Sequence, residues 1–158
     1  MAISIGGLAP DFALRDQHGA AVALSDFAGA KDVLIVFFPF AFSGVCGGEL
    51  AELRDGIDQI VDDRTEVLAV SCDHRYSLRA YAERDRFPFS LLSDFWPHGA
   101  VSRAYDAFDE RLGCSTRVSV VVDRAGEVSW AVRGDFDRPR DFAEYRRVLS
   151  DLRNRDAT

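Results

Sequence analysis

The feature that most constrains the fold of this chain is an uninterrupted apolar run from Val33 to Phe38, which is rich in β-branched residues. A short run of this kind, ended by a proline, is typical of a buried central strand. The run stops at Pro39, and a helical pattern of apolar residues follows from about Val45 to Asp62. Because a second buried strand is predicted at Val67 to Ser71, we expect a right-handed βαβ unit whose strands are parallel.

The rest of the chain alternates predicted strands with predicted helices. The further strands are two hairpins and one single strand: Phe12 to Arg15 with Ala21 to Leu24, Arg117 to Val122 with Val128 to Val132, and Ser90 to Leu92. The further helices span about Ser77 to Arg84, His98 to Phe108 and Arg140 to Arg153. The sequence therefore predicts an α/β fold in a single domain over residues 1–158, with a mixed central sheet, helices on both of its faces and an N-terminal β-hairpin.

The composition narrows the classes of function. With 158 residues, 47% of them hydrophobic, the chain can bury one substantial core. The formal net charge of -7 argues against nucleic acid or an anionic membrane as the main partner. No apolar run approaches the roughly 20 residues of a membrane span, and the first residues lack the pattern of a secretory signal. Three cysteines are too few for a disulfide framework, which favours a reducing compartment and predicts a cytoplasmic protein.

Cys46 lies where the central strand gives way to the predicted helix. The first turn of a helix presents unpaired N–H groups and the positive end of the helix dipole, and both favour a thiolate over a thiol. The thiolate is the reactive form of cysteine. Binding sites in α/β sheets form beyond the carboxyl ends of parallel strands, and both the Pro39–Cys46 loop and Cys72 fall at that edge. The sequence thus predicts that Cys46 is a nucleophile.

The residues around Cys46 form a pattern that is known from one enzyme family. Pro39, Ser43 and Cys46 match the peroxiredoxin active-site pattern, in which Pro and then Thr or Ser precede the reactive cysteine at these spacings. Glu49 follows the cysteine, and Arg117 stands late in the chain at the position of the family's active-site arginine. Further matches are the segments Ala9-Pro10-Asp11-Phe12 and Leu92-Ser93-Asp94-Phe95-Trp96-Pro97-His98-Gly99. The chain therefore resembles a peroxiredoxin, and residues 36–49 and 91–105 most resemble the AhpE-type one-cysteine members.

This resemblance implies a thioredoxin-like fold and a thiol-dependent peroxidase. The implied substrates are hydrogen peroxide, organic hydroperoxides or peroxynitrite, which would oxidise Cys46 to a sulfenic acid. An external low-molecular-weight thiol or a thioredoxin-, glutaredoxin- or mycoredoxin-like protein would then restore the thiol. The resemblance also implies a homodimer or higher oligomer, and it implies no haem, flavin, metal or other cofactor.

Four residues around Cys46 are expected to assist the reaction. Arg117 offers fixed donors that stay charged near neutral pH, and Ser43 can both accept and donate hydrogen bonds. Serine departs here from the threonine that is commoner in the family, and it lacks the β-branch that restricts the rotamer. The N–H of Val45 is a further donor. Pro39 covers the sulfur and limits the access of water.

For four further residues the sequence leaves more than one role open. Glu49 is either a solvated acid in the first helical turn or, by the family match, the residue that positions Arg117. Trp96 is expected to serve in packing or in an interface. Cys72 and Cys114 are each either a small buried hydrophobe or a resolving cysteine for the nucleophile.

Two observations argue against a metal site and against a disulfide oxidoreductase. The histidines are too dispersed along the chain for a convincing metal set: His18, His74 and His98. Cys46 is followed by Gly47-Gly48-Glu49, so the chain has no Cys-x-x-Cys motif of a disulfide oxidoreductase. The alternative function that remains is a non-enzymatic redox sensor or holdase of the thioredoxin fold. Because glycine weakens helices, Gly47 and Gly48 also predict a first turn that opens locally.

Overall fold

The computed structural model describes residues 3–156 of the chain. Its strands are β1 (Ala13–Arg15), β2 (Ala21–Ala23), β3 (Asp32–Phe37), β4 (Thr65–Ser71), β5 (Ser90–Ser93), β6 (Phe108–Asp109), β7 (Cys114–Ser115), β8 (Val118–Val122) and β9 (Val128–Arg133). Its α-helices are α1 (Gly44–Asp55), α2 (Arg75–Asp85), α3 (Ala100–Ala104) and α4 (Phe142–Asp156), and two short 3-10 helices span Leu24–Phe27 and Ile57–Gln59. Among these described residues, no helix has the length and apolar character needed to span a bilayer.

Seven strands form one mixed sheet in the order β2-β1-β5-β4-β3-β8-β9, while β6 and β7 form a separate ribbon. β3 pairs in parallel with β4, and β4 pairs in parallel with β5. On its other side β3 pairs antiparallel with β8. β1 with β2 and β8 with β9 form the two predicted hairpins. The predicted βαβ unit and mixed sheet are confirmed, and the carboxyl ends of β3 and β4 lie at one edge.

Every residue of β3 is buried, as predicted for a central strand. Its side chains alternate between two cores: Leu34 and Val36 join the core under α1, α2 and α4, whereas Ile35 and Phe37 join the core on the opposite face. The opposite core is covered by α3 and by the N-terminal segment, which contributes Phe12. Each such side chain contributes about 1.5–3 kcal/mol by leaving water. Helices therefore cover both faces of the sheet, as predicted.

The predicted helix from Val45 to Asp62 is too long at its C-terminal end. α1 ends at Asp55, Gly56 follows, and a 3-10 turn leads away from it. A Cβ at position 56 would overlap the ring of Phe142 in α4, so glycine allows the two helices to approach closely. The apolar periodicity nonetheless continues past the helix end, because Ile60 is buried in the same core.

The predicted helix from His98 to Phe108 is also too long. α3 spans only Ala100–Ala104. Gly99 before it has a φ of 74°, and Asp106 after it has a φ of 56°, both in the left-handed region that interrupts a right-handed helix. The chain then turns into β6, where Phe108 packs its ring against Gly99. The helical periodicity of this segment therefore reflects burial and not a continuous helix.

Candidate active site

The loop between β3 and α1 presents Cys46 at the carboxyl edge of the sheet. Pro39 begins the loop and is buried. Ser43 is the N-cap residue of α1, and its carbonyl accepts the N–H of Gly47 at 2.8 Å. The Ser43 side chain makes no capping hydrogen bond, so its hydroxyl is not committed to the helix end. Val45 and Cys46 follow in the first turn, where backbone N–H groups have no partner within the helix.

Arg117, the residue just before β8, reaches the sulfur of Cys46. Its Nη2 lies 3.3 Å from the Sγ of Cys46, and its Nη1 donates to Oε1 of Glu49 at 2.7 Å. Its Nε donates to the carbonyl of Phe136 at 3.1 Å. Cys46 is 0% exposed and Arg117 is 2% exposed. The guanidinium is therefore held on three sides inside the protein, with one donor aimed at the sulfur.

Glu49 also binds Arg140, a residue that the sequence did not indicate as part of the site. Arg140 donates from Nη2 to Oε1 of Glu49 at 2.6 Å and from Nε to Oε2 at 2.8 Å. Its backbone N–H donates to the same Oε2 at 2.6 Å, and its Nη1 donates to the carbonyl of Val118 at 2.8 Å. In the sequence Arg140 is one of several arginines before α4, and only its contact with Glu49, 91 residues earlier, distinguishes it.

The buried cluster carries two guanidinium groups and one carboxylate beside the sulfur. Burial acts to raise the pKa of Glu49, but the hydrogen bonds and charge of Arg140, with the charge of Arg117, hold that pKa below its usual value. Burial acts to lower the pKa of Arg140, yet its hydrogen bond to Glu49 and the nearby negative charges raise it overall. Glu49 is therefore ionised near neutral pH, and guanidinium groups in proteins keep their charge there. A thiolate at Cys46 would balance the second positive charge.

The loop before α1 holds a strained residue. Phe42 has a φ of 68°, a left-handed conformation that costs a non-glycine residue about 1–2 kcal/mol. The N–H of Ala41 donates to Oδ2 of Asp73 at 2.8 Å, which ties the loop to the end of β4. The ring of Phe42 packs against that of Tyr81 at 4.9 Å between centroids, and the Arg84 guanidinium lies 4.8 Å from the Phe42 ring. These contacts offset the strain.

The sequence of the chain matches one protein family along most of its length. Residues 5–131 match the AhpC/TSA family. The chain belongs to this family. The chain is 47% identical over 129 residues to alkyl hydroperoxide reductase E of Mycobacterium tuberculosis, and the aligned region covers 82% of this chain and 84% of that protein. It is also 38% identical over 92 residues to peroxiredoxin Bcp of Escherichia coli, and this aligned region covers 58% of each chain. The chain is thus an AhpE-type peroxiredoxin, a thiol-dependent peroxidase.

Solved peroxiredoxin structures share the fold of this peroxidase. The AhpC of Enterococcus faecalis superposes with a TM-score of 0.89 at 25% identity, covering 98% of this chain and 95% of that one. The peroxidoxin BcpB of Mycobacterium tuberculosis superposes with a TM-score of 0.81 at 26% identity, covering 96% of this chain and 97% of that one. The thioredoxin-like fold is confirmed. The non-enzymatic alternative is not favoured, because the relatives are named as reductases and peroxiredoxins.

The two other cysteines of this peroxiredoxin are buried free thiols. Cys72 directly follows β4, and its sulfur lies 3.5 Å from the hydroxyl of Ser115. Burial raises the pKa of Cys72 despite this hydrogen bond. Burial, with the charge of Asp109 second, raises the pKa of Cys114 to about 11. Both thiols are therefore mainly protonated near neutral pH, and a resolving role for either one stays a prediction.

A groove of about 310 Å³ runs along the active-site loop. Pro39 and Phe40 of the loop line it, together with Cys72 and Phe95. Trp96 follows Phe95 and is 80% exposed. Trp96 therefore does not pack in the core of its own chain, and a role for it in an interface stays a prediction.

The histidines make local contacts. His74 caps α2 by accepting the N–H of Tyr76 through its side chain. His98 contacts the carbonyls of Phe95 and Gly113 through its two ring nitrogens, at 3.1 and 2.7 Å. Within residues 3–156, no three side chains of His, Cys, Asp or Glu are grouped to hold a metal ion.

Proposed function

We propose that Cys46 is the nucleophile of this peroxidase and that it attacks hydrogen peroxide, organic hydroperoxides or peroxynitrite. The observation that carries the proposal is the 3.3 Å contact from Nη2 of Arg117 to the sulfur of Cys46. Buried ion pairs from Glu49 to Arg117 and to Arg140 support that contact. A guanidinium held in this way is suited to stabilise both a thiolate and a developing oxyanion. A cysteine that serves only in packing has no need of such a partner.

The proposed step is a two-electron transfer from sulfur to peroxide. The thiolate sulfur attacks one peroxide oxygen, and the S–O bond forms as the O–O bond breaks. The electron pair of the broken bond leaves with the other oxygen, which takes up a proton and departs as water or an alcohol, or departs as nitrite when peroxynitrite is the substrate. Cys46 becomes a sulfenic acid. Arg117 stabilises the charge that develops on the leaving oxygen.

Four residues of the loop and the helix start contribute further groups to the proposed site. The Ser43 hydroxyl, which does not cap α1, binds the peroxide. The N–H groups of Val45 and Cys46 in the first turn add donors. Pro39 has no N–H of its own and is buried at the start of the loop, and in the proposed site it keeps water away from the sulfur.

An external thiol restores the enzyme in the proposed cycle. A low-molecular-weight thiol, or a thioredoxin-, glutaredoxin- or mycoredoxin-like protein, attacks the sulfenic sulfur and displaces water, and a second thiol then releases Cys46. The external route is favoured because burial raises the pKa of both Cys72 and Cys114, whereas the thiolate is the attacking form. A disulfide from either residue to Cys46 is the competing route.

The proposal extends to assembly and location. Phe40, Phe95 and Trp96 form an aromatic surface whose members are 41%, 43% and 80% exposed. Apolar surface of this kind marks a contact with a partner, and we propose a homodimer or higher oligomer through it. From the few cysteines and the net charge of -7, we propose a cytoplasmic single-domain protein with no nucleic acid or membrane partner.

Steady-state consumption of hydrogen peroxide with dithiothreitol as the reductant tests this function. The wild type should turn over, and Cys46→Ser should not. Cys72→Ser and Cys114→Ser are the matched controls and should retain turnover, because the external route uses neither residue. Loss of turnover in either control would favour the internal disulfide. Turnover by Cys46→Ser equal to that of the wild type would overturn the proposal.

A further inference from the structure

Tyr81 is a buried residue of α2 whose hydroxyl the proposed mechanism does not use. Its ring centroid lies 4.9 Å from that of Phe42, 6.4 Å from that of Phe38 and 5.0 Å from that of Phe87. The residue is 0% exposed. These aromatic neighbours fix the ring, and they thereby fix the position of the hydroxyl.

The hydroxyl of Tyr81 has no hydrogen-bond partner in the part of the chain that the structure describes. The buried tyrosines elsewhere do have one: Tyr105 donates to the carbonyl of Pro10, and Tyr145 bonds to the hydroxyl of Ser119. Leaving a buried hydroxyl unpaired is unfavourable, and most buried polar atoms in proteins have a partner. An unpaired hydroxyl in this well-packed core therefore needs a physical reason.

The unpaired hydroxyl lies against the first turn of α1. A Cβ on Gly47 would stand 3.7 Å from the Oη of Tyr81, and Gly47 is the residue directly after Cys46. Burial raises the pKa of Tyr81, and the negative charge of a Cys46 thiolate raises it further. The hydroxyl therefore lies beside the residue that follows Cys46, and it keeps its proton throughout the neutral range.

The Tyr81 hydroxyl and the Arg117 guanidinium approach the turn that carries Cys46 from different elements. In the sheet, β3 lies between β4 and β8. Arg117 comes from the β8 side and already bonds to the sulfur. Tyr81 comes from α2, which packs beside β5 on the other side. An oxygen added to the sulfur can thus meet a second donor besides the guanidinium.

We propose that the Tyr81 hydroxyl donates a hydrogen bond to the oxygen that peroxide leaves on Cys46. This inference rests on the proposed role of Cys46. In the reduced protein the hydroxyl has no acceptor, and the oxygen of the sulfenic acid supplies one. Tyr81 keeps its proton, so no bond is made or broken beyond those of the peroxidase step. The donor stabilises the ionised sulfenate, and Tyr81 therefore contacts the oxidised intermediate directly.

The substitution Tyr81→Phe removes the hydroxyl and keeps the ring. The quantity to measure is the pH midpoint for over-oxidation of Cys46 from sulfenic to sulfinic acid, followed by intact mass as the gain of a second oxygen. Because the ionised sulfenate attacks the second peroxide, losing the donor should raise this midpoint by about 0.5 to 1 pH unit, about a three- to tenfold change in the ionisation constant. Reduced Tyr81→Phe should unfold at the wild-type temperature or above it, since an unpaired polar group is removed.

The substitution Tyr105→Phe is the matched control, because it removes a paired hydroxyl from the opposite core. It should destabilise the reduced protein and leave the pH midpoint at the wild-type value. The inference is overturned if Tyr81→Phe keeps the wild-type midpoint, or if it destabilises the reduced protein as Tyr105→Phe does. Failure of the wild type to form any sulfenic acid would instead overturn the proposed function, so the two failures are distinguishable.

Discussion

Glu49 is the residue that joins the charges of the site into one unit. It is 5% exposed, and its carboxylate accepts hydrogen bonds from both Arg117 and Arg140. Arg140 thus holds Glu49, Glu49 holds Arg117, and Arg117 contacts the sulfur of Cys46. Removing one member of a buried ion cluster leaves a charge unpaired and typically costs about 3–5 kcal/mol. The cluster therefore links the stability of the protein to the geometry of its reactive sulfur.

Replacing Arg140 by methionine should lower both stability and the rate of reaction with peroxide. The free energy of unfolding should fall by about 3 kcal/mol or more, because Glu49 loses a buried partner. The second-order rate constant with hydrogen peroxide should fall by about tenfold or more, because Arg117 loses its fixed orientation. Denaturant unfolding and stopped-flow kinetics measure the two effects. Arg138→Met, at an exposed arginine nearby, should change neither, and a wild-type rate in Arg140→Met would exclude the positioning role.

The free energy of unfolding should depend on pH through the ionisation of Glu49. Folding lowers the pKa of this carboxyl below its ordinary value of 4.5, so the unfolded chain binds the proton more readily. The stabilisation is fully present above the ordinary pKa and is lost as the pH falls through the lower folded-state pKa. The free energy of unfolding of the wild type should therefore drop on acidification through and below that range, and Glu49→Gln should lack this part of the drop.

The control for this pH dependence is Glu52→Gln, at an exposed position of the same helix. Chemical denaturation at a series of pH values gives the slope for each protein, and Glu52→Gln should keep the wild-type slope. If Glu49→Gln kept it too, the acid sensitivity would arise elsewhere in the protein.

Cys46 could be proposed as the nucleophile from the sequence alone because Pro39, Ser43 and Cys46 lie within one short pattern. For Glu49 the sequence left two alternatives, and its burial excludes the solvated one. Arg140 could not be predicted, because its only distinguishing feature is a contact across 91 residues of chain. A local pattern thus predicts the reacting groups, whereas the groups that orient them depend on the tertiary fold.

The two ends of α1 differ: its C-terminal half packs in the core, whereas its first turn, which carries Cys46, contains residues of low helix propensity. Leu50 and Leu53 are buried in the core, whereas the turn after Cys46 contains Gly47 and Gly48. A fully buried sulfenic acid has to become accessible before a protein reductant can reach it. Opening of this turn is therefore expected to limit recycling.

Replacing Gly48 by alanine tests this opening without a steric conflict, because a Cβ at this position meets no atom within 4 Å. The substitution should stabilise the helix by about 0.5–1 kcal/mol. Amide exchange of the first turn should slow, and reduction of the sulfenic acid by a protein thiol should slow with it, while exchange in α4 serves as the internal control. Unchanged exchange and recycling in Gly48→Ala would mean that the glycines do not control access.

Strands were easier to predict than helix ends. The run that became β3 is buried along its whole length, so its composition alone indicated a central strand. The end of α1 depends on the ring of Phe142 in α4, which packs against Gly56, whereas α3 lies between the left-handed residues Gly99 and Asp106. Apolar periodicity continues past both helix ends because the following residues are buried too. Periodicity of apolar residues therefore indicates which residues are buried, and does not by itself show that the helix continues.

The aromatic surface formed by Phe40, Phe95 and Trp96 is the proposed contact between copies of the chain. Trp96→Arg should convert the oligomer to a smaller species, because it introduces a charge that a buried contact cannot satisfy. Sedimentation velocity measures the change. Leu8→Arg is the control: Leu8 is 78% exposed and pairs with Glu127 beyond the far end of β8. Dissociation by Leu8→Arg but not by Trp96→Arg would move the interface to the other end of the molecule.

The most direct test of Cys46 as the nucleophile is the intact mass of the reduced protein after one equivalent of hydrogen peroxide, measured beside Cys46→Ser. The wild type should gain one oxygen, which a sulfenic-acid reagent traps at Cys46, and Cys46→Ser should gain none. A loss of two hydrogens would indicate that an internal disulfide, and not an external thiol, resolves Cys46. Peptide mapping would then show whether Cys72 or Cys114 is its partner. No rapid change in the wild type, or the same change in both proteins, would contradict the assignment of Cys46.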